Sequence, residues 1–296
     1  MDSYRLLIVG ARSARQGTGP FIAAGLARAG ADIAGIVGTS EASVAGALNA
    51  LAQEWNIHSR GFTDLSQAIQ EVQPHAVAIC SPWRFHAEQL RSVAEAGCHC
   101  LVEKPMAWPA SAEQIDELVS LFEHRSLLLQ LVGQWPTTLS AFSSLHGPLP
   151  GNVEQFRMRL SPISVGQDMI TDSAPHFVSM LQALAGPGEC EDCSVNIEPG
   201  DEAMELRCLY QNADHRIDAR LLLETCETRP RPAWYEINGL RADRKAVLPQ
   251  YDQYLVSDDR QVALEDPMHL VAAQFMAALG AGDPTDGEVL RSAHRN

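Results

Sequence analysis

The sequence predicts an α/β chain: an N-terminal Rossmann-type doubly wound parallel sheet followed by a C-terminal α+β domain with a mostly antiparallel open sheet. Three observations predict it. Short apolar runs alternate with helical patterns from Tyr4 to about Leu131; a glycine-rich turn follows the first run directly; and the rhythm changes after Trp135-Pro136 to one helix-like stretch and then several strands. In order, Arg5–Val9 reads as strand, Phe21–Ala29 as helix, Ile33–Val37 as strand, Ala42–Trp55 and Leu65–Val72 as helices, and Ala76–Cys80 as strand. Ala87–Ala96 (helix), Cys100–Val102 (strand), Ala112–Phe122 (helix) and Ser126–Val132 (strand) continue the alternation. Repeated βαβ units of this length demand parallel strands with right-handed crossovers. Beyond them, strands are expected at Val153–Leu160, Ser194–Ile197, Ala203–Tyr210, Ile217–Glu224 and Trp234–Ile237, with helices at Thr171–Leu184 and Pro267–Leu279. The expected division is a dinucleotide-binding domain over residues 1–133 and a substrate-binding and oligomerisation domain over 134–296.

Composition narrows the function classes. A formal net charge of -15 argues against nucleic acid, whose binding relies on Lys and Arg placed along phosphates. No run approaches the roughly 18 apolar residues of a membrane span, and the first residues lead into a strand where an export signal would stand, so the expected location is cytoplasmic. Seven cysteines, an odd number scattered among apolar segments, suit reduced thiols. Cys190-x-x-Cys193 has a metal-like spacing, but a zinc site needs two further ligands, and Cys208 and Cys226 stand singly in strand-like runs; no metal is expected.

The turn after the first strand, Gly10-Ala-Arg12-Ser13-Ala-Arg15-Gln-Gly17-Thr-Gly19-Pro20, sits where backbone N–H groups and a helix N-terminus hold a pyrophosphate. It is longer than a G-x-G-x-x-G fingerprint, and a merely flexible turn competes with the cofactor reading. At the end of the second strand, where NAD enzymes often place an acid, stands Gly38-Thr39-Ser40. The missing acid removes repulsion toward a 2'-phosphate, Thr39 and Ser40 bring hydroxyls, and Arg12 or Arg15 brings charge; the expected cofactor is NADP or NAD, with the balance toward NADP.

One of the two lysines, Lys104, lies in Glu103-Lys104-Pro105 where a strand ends, the place at which open α/β sheets bind ligands. Asp172 and His176, four residues apart, share one helical face, with Pro175 expected in the first helical turn, where it is tolerated. An aspartate near a helix start also serves as an N-cap, and a single histidine also serves as a hydrogen-bonded packing residue.

The Rossmann-like start, Ser81-Pro82-Trp83-Arg-Phe-His86, Glu103-Lys104-Pro105 and Asp172-Ser-Ala-Pro-His176, in that order, give the chain a resemblance to the glucose-fructose oxidoreductase/inositol dehydrogenase (Gfo/Idh/MocA) family. The resemblance implies an NAD(P)-dependent oxidoreductase that moves hydride between the nicotinamide and a small hydroxyl, carbonyl or imine compound, sugar- or polyol-like, held between two domains. It implies His176 as general acid/base, Lys104 polarising the reacting oxygen and Asp172 orienting the pair. It places Ser81, Pro82, His86 and Glu103 on the cofactor side; for His86 a packing role at a helix start is the alternative. Val165–Asp168, Ser179 and Gln134-Trp135-Pro136 depart from the family's pattern and leave the substrate open. Three other readings stand beside the oxidoreductase: a glycoside-cleaving relative that holds NAD through its cycle, a dinucleotide sensor without catalysis, and a structural or scaffold role. A homodimer or homotetramer is expected, because an open antiparallel sheet leaves one face to cover.

Overall fold

A computed structural model describes residues 3–12, 17–248 and 252–296. They divide into two compact units, one of Met1–Val132 with Met268–His294, the other of Gly133–Pro267 with Arg295–Asn296.

In the first unit β1 (Arg5–Val9), α1 (Gly19–Arg28), β2 (Asp32–Val37), α2 (Glu41–Trp55), β3 (Arg60–Phe62), α3 (Leu65–Val72), β4 (Ala76–Ile79), α4 (His86–Glu95), β5 (His99–Val102), α5 (Ala112–His124) and β6 (Leu129–Leu131) follow one another. The six strands are all parallel in the order β3-β2-β1-β4-β5-β6. Leu6, Leu7 and Ile8 of β1 and Ala76–Ile79 of β4 are fully buried, as expected of strands covered by helices on both faces. β3 was not foreseen: three residues, Arg-Gly-Phe, carry too little apolar pattern to announce an edge strand. The order reverses between β1 and β4, which opens the crevice at their C-terminal ends.

The second unit contains α6 (Leu139–His146), β7 (Gln155–Leu160), α7 (Gln167–Ala185), β8 (Glu189–Ile197), β9 (Ala203–Gln211), β10 (Arg216–Glu224), β11 (Ala233–Ile237), β12 (Leu240–Val247), β13 (Asp252–Ser257) and β14 (Arg260–Leu264). Its sheet runs β14-β13-β12-β11-β7-β10-β9-β8, antiparallel except where β7 lies parallel to β10. One face buries Phe156, Met158, Ile217, Leu221 and Tyr235 under helices, with the Phe156 and Phe177 rings stacked 5.6 Å apart. The other carries a charged lattice in which Arg157 pairs with Glu236 at 3.6 Å, Arg159 with Glu224, and Arg241 lies 4.2 Å over the Trp234 ring. β12 to β14 escaped the sequence reading because the buried positions in them are Ala242, Ala246 and Leu255 alone, so the alternation is faint.

Two expectations are corrected. The closing helices α8 (Pro267–Ala281) and α9 (Gly287–Arg295) do not complete the second unit, as a division at 133/134 implied. Met268, Val271, Ala272, Phe275 and Leu279 pack into the same core as Leu6, Ile8, Ile22 and Leu26. Gly25 permits the approach, since a β-carbon there would stand 3.0 Å from both Ala272 Cβ and the Met268 carbonyl oxygen. Thr285 then completes the edge of the sheet: its hydroxyl accepts from Leu129 N and donates to Leu127 O, both at 2.7 Å. Arg291 of α9 reaches Asp116, Ser120 and Glu123 of α5. The second correction concerns α7, which starts at Gln167 behind a left-handed Gly166 whose N–H bonds to Asp201 O at 2.9 Å. Pro175 is therefore two turns inside the helix, not in its first turn, and leaves the Thr171 carbonyl without its helical donor.

Candidate active site

At the mouth of the first unit, β1 ends in Gly10 with φ 87°, a left-handed conformation that favours glycine. A β-carbon there would sit 2.8 Å from the backbone of Cys80 and Ser81, and one at Gly19 would sit 2.4 Å from Gly10 O. These glycines therefore draw the ends of β1 and β4 and the first turn of α1 together. Pro20 opens α1 and no acidic side chain lies in its first turn, so the N-terminal N–H groups and helix dipole suit an anion. Gly17 is half-buried and Arg12 exposed beside this turn; Ser13 and Arg15 lie outside the described residues. This arrangement fits a dinucleotide pyrophosphate. At the end of β2, Thr39 is exposed, and Ser40 N-caps α2, accepting from Ser43 N at 3.3 Å and keeping its own hydroxyl hydrogen to donate.

β4 and β5 deliver the other motifs. Ser81 donates to Gln89 Oε1 at 2.6 Å, and Pro82 leads into a short 3-10 turn, Trp83–Phe85. His86 begins α4 fully buried, with Nδ1 2.9 Å from Pro105 O and Nε2 2.7 Å from Ser81 O. A carbonyl only accepts, so both contacts are hydrogen bonds when both ring nitrogens carry hydrogen. The imidazole thus ties the loop after β4 to the loop after β5. Glu103 is buried and accepts from Lys104 N at 2.9 Å, Lys104 is half-buried, and the Lys104–Pro105 bond is cis. Cys80 beside them is no nucleophile: burial first, then the Glu103 carboxylate, pushes its thiol well above the ordinary value.

In the second unit, α7 buries Met169, Ser173, Phe177, Met180 and Leu181. Asp172 and His176 each stand one residue before a member of that stripe, so they ride its flank. The early start of α7 removes the N-cap reading of Asp172, which accepts from Ser164 Oγ at 2.6 Å. His176 Nε2 lies 3.4 Å from Gln134 Nε2, and the His176 carbonyl accepts from Ser179 Oγ at 2.8 Å. Gln134, Ser164 and the two carbonyl contacts of the His86 ring are the contacts that sequence reasoning did not find, because no periodic pattern announces a pairing made by a loop residue. Trp135 is buried, edge-on to Tyr235 at 6.2 Å and beneath Arg244, so it is core in this unit. Among the described residues, no cluster of three or more His, Cys, Asp or Glu side chains is placed to hold a metal, and no helix is long and apolar enough to cross a membrane.

The strand order, the glycine-tightened turn and the motifs at the ends of β4 and β5 define a dinucleotide-binding oxidoreductase fold. Residues 4–132 match the model of the oxidoreductase family with an NAD-binding Rossmann fold. By that match the first unit is similar to the Gfo/Idh/MocA family. UDP-N-acetylglucosamine 3-dehydrogenase GnnA from Acidithiobacillus ferrooxidans matches with a TM-score of 0.73 and 21% identity, over 99% of this chain and 95% of that one, a likeness of fold. The D-glucoside 3-dehydrogenase of Escherichia coli (strain K12) is 40% identical over 58 residues, 20% of this chain and 16% of that protein. Glycosyl hydrolase family 109 protein 1 of Akkermansia muciniphila is 34% identical over 67 residues, 23% of this chain and 14% of that protein. The matched stretches thus span under a fifth of either curated relative.

Proposed function

We propose that the protein is an NAD(P)-dependent oxidoreductase acting on a small sugar- or polyol-like hydroxyl compound, or reducing the matching carbonyl or imine. The observation that carries this reading is the placement of Lys104 at the end of β5, on the same C-terminal side of the sheet as the Gly10–Gly19 turn. Gly10, Arg12, Ser13, Arg15, Gly17 and Gly19 hold the pyrophosphate, Thr39 and Ser40 the adenosine ribose, and Ser81, Pro82, His86 and Glu103 border the nicotinamide, which when bound supplies or accepts the hydride. Lys104 places its ammonium against the reacting oxygen and favours the charge that develops there. His176 takes or returns the hydroxyl proton, and Asp172 orients it along the shared face of α7. The absence of an acid after β2 supports NADP over NAD. The charged open face of the second sheet, with Trp234 at its middle, supports self-association into a homodimer or homotetramer, and the enzyme is cytoplasmic in this reading. A second reading, cleavage of glycosides with NAD recycled in place, draws on the similarity to the family 109 hydrolase.

Titration with NADPH and NADH separately, followed by nicotinamide fluorescence and tryptophan quenching, tests the cofactor half. Micromolar NADPH binding, tighter than NADH, is expected; binding of neither overturns the proposal. Steady NADPH consumption with a carbonyl or imine panel is expected of the oxidoreductase, whereas release of an aryl group from a glycoside without change in the nicotinamide band selects the second reading.

A further inference from the structure

β8 is an edge strand whose pairing with β9 slips once. Glu191 faces Leu209 and Ser194 faces Arg207, so Asp192 and Cys193 together stand opposite Cys208. Asp192 takes φ 50°, and the pair forms a bulge that turns Cys193 back toward its neighbour strand. Cys190 precedes the slip and faces Tyr210, which shares a sheet face with Cys208 two residues away. Three thiols from distant and local sequence positions therefore converge. The Cys190 and Cys208 sulfurs are 3.2 Å apart, Cys193 Sγ lies 3.6 Å from the Cys190 carbonyl oxygen, and Cys193 is exposed while the other two are half-buried.

We propose that Cys190, Cys193 and Cys208 form an oxidisable thiol site, which hydrogen peroxide converts to a disulfide joining β8 to β9 through Cys208. Exposed Cys193 reacts first. Its sulfur attacks one peroxide oxygen, the O–O bond breaks, and Cys193 sulfenic acid and water form. Cys208 Sγ then attacks Cys193 Sγ, the S–O bond breaks, and the departing hydroxide leaves as water with the Cys208 proton. The sum is two thiols and one hydrogen peroxide giving one disulfide and two waters. Cys190, in contact with Cys208, is the alternative partner and accepts the bond by exchange. Burial first, then the neighbouring Cys208, holds the Cys193 thiol above the ordinary range, and the hydrogen bond with Cys190, then burial, does so for Cys208, so thiolate is scarce at neutral pH and the reaction accelerates on the alkaline side.

The sequence makes the product easy to see, because trypsin cleaves after Arg207 and separates Cys208 from the other two. The full chain is treated with hydrogen peroxide, alkylated, digested without reduction and analysed by mass spectrometry. The expected product is segment 160–207 linked to segment 208–216, formed faster as pH rises. Cys193→Ser is expected to slow linkage at least tenfold while the link still forms through Cys190, and Cys190→Ser to leave the rate unchanged. A digest in which Cys208 is recovered alkylated or oxidised to the sulfonic acid without linkage overturns the proposal, as does linkage of Cys208 to Cys226. Linkage as fast in Cys193→Ser as in the unaltered protein overturns Cys193 as the point of entry.

Discussion

The two units hold their functional groups by different means. In the first, polar groups are fixed by strand ends: His86 is clamped between the carbonyls of Ser81 and Pro105, Glu103 caps the Lys104 N–H, and Gly10 and Gly19 leave no room for a β-carbon. In the second, Asp172 and His176 project from the flank of a long helix, where Asp172 meets the side chain of Ser164 and His176 that of Gln134. Backbone clamping tolerates little substitution, because each carbonyl and N–H has one place to go. Side chains on a helix flank permit exchange of their partners without loss of the scaffold. The difference suits the proposed division between a unit that binds cofactor and a unit that binds substrate.

Substitutions test that contrast, beginning with the largest effect. Lys104→Ala and His176→Ala are each expected to lower turnover by about 10²–10⁴-fold with cofactor affinity retained, measured as kcat alongside NADPH titration. Full activity in His176→Ala would remove the acid/base assignment. Phe275→Ala, in the closing helix, is expected to cost about 3–5 kcal/mol in urea unfolding of the first unit, because its fully buried ring leaves a cavity. His86→Ala removes the ring that links two part-buried carbonyls and is expected to cost about 1–3 kcal/mol. Gln134→Ala, the matching change in the second unit, is expected to change stability by less than about 1 kcal/mol while altering the pH profile of kcat. Equal stability losses in these two variants would break the contrast.

The smallest expected effect is a pH dependence. His99 Nδ1 accepts from Leu128 N at 2.8 Å, which requires the neutral ring, and burial first, then His75, lowers its pKa from 6.5. The unfolded chain therefore binds more protons, so the contribution of His99 is present above about pH 6.5 and is lost as pH falls through the folded value. His99→Asn, which keeps an acceptor but does not titrate, is expected to flatten that part of the stability profile in urea unfolding at a series of pH values. An unchanged profile would show that His99 contributes nothing to it.

Legibility followed burial. Strands β1, β2, β4 and β5 are covered on both faces, so their apolar runs stand out in the sequence together with the turns that end them. The Asp172/His176 spacing was legible because helical periodicity is local, whereas the start of α7 was not, since it depends on Gly166 bonding to Asp201, 35 positions further on in the chain. In β12 to β14 few large apolar side chains mark the buried face, and Arg241 pairs with Asp243 two residues along the same strand, so a linear reading finds little alternation there. The cysteine convergence was hidden for a different reason: a C-x-x-C spacing is visible, but the third thiol, Cys208, is brought in by the pairing of β9 with β8.

The return of α8 and α9 to the first unit also orders events during synthesis. Residues 5–131 emerge from the ribosome first and can pair their six strands, but the surface of Ile22 and Leu26 that receives Phe275 and the N–H of Leu129 that receives Thr285 wait for more than a hundred further residues. Translation must pass through the whole second unit before the first is sealed. A ribosome stalled within β8 to β14 therefore presents a Rossmann sheet with an open apolar flank, a substrate for chaperones and proteases. Completion of the second unit and closure of the first are thereby tied to the same final stretch of chain.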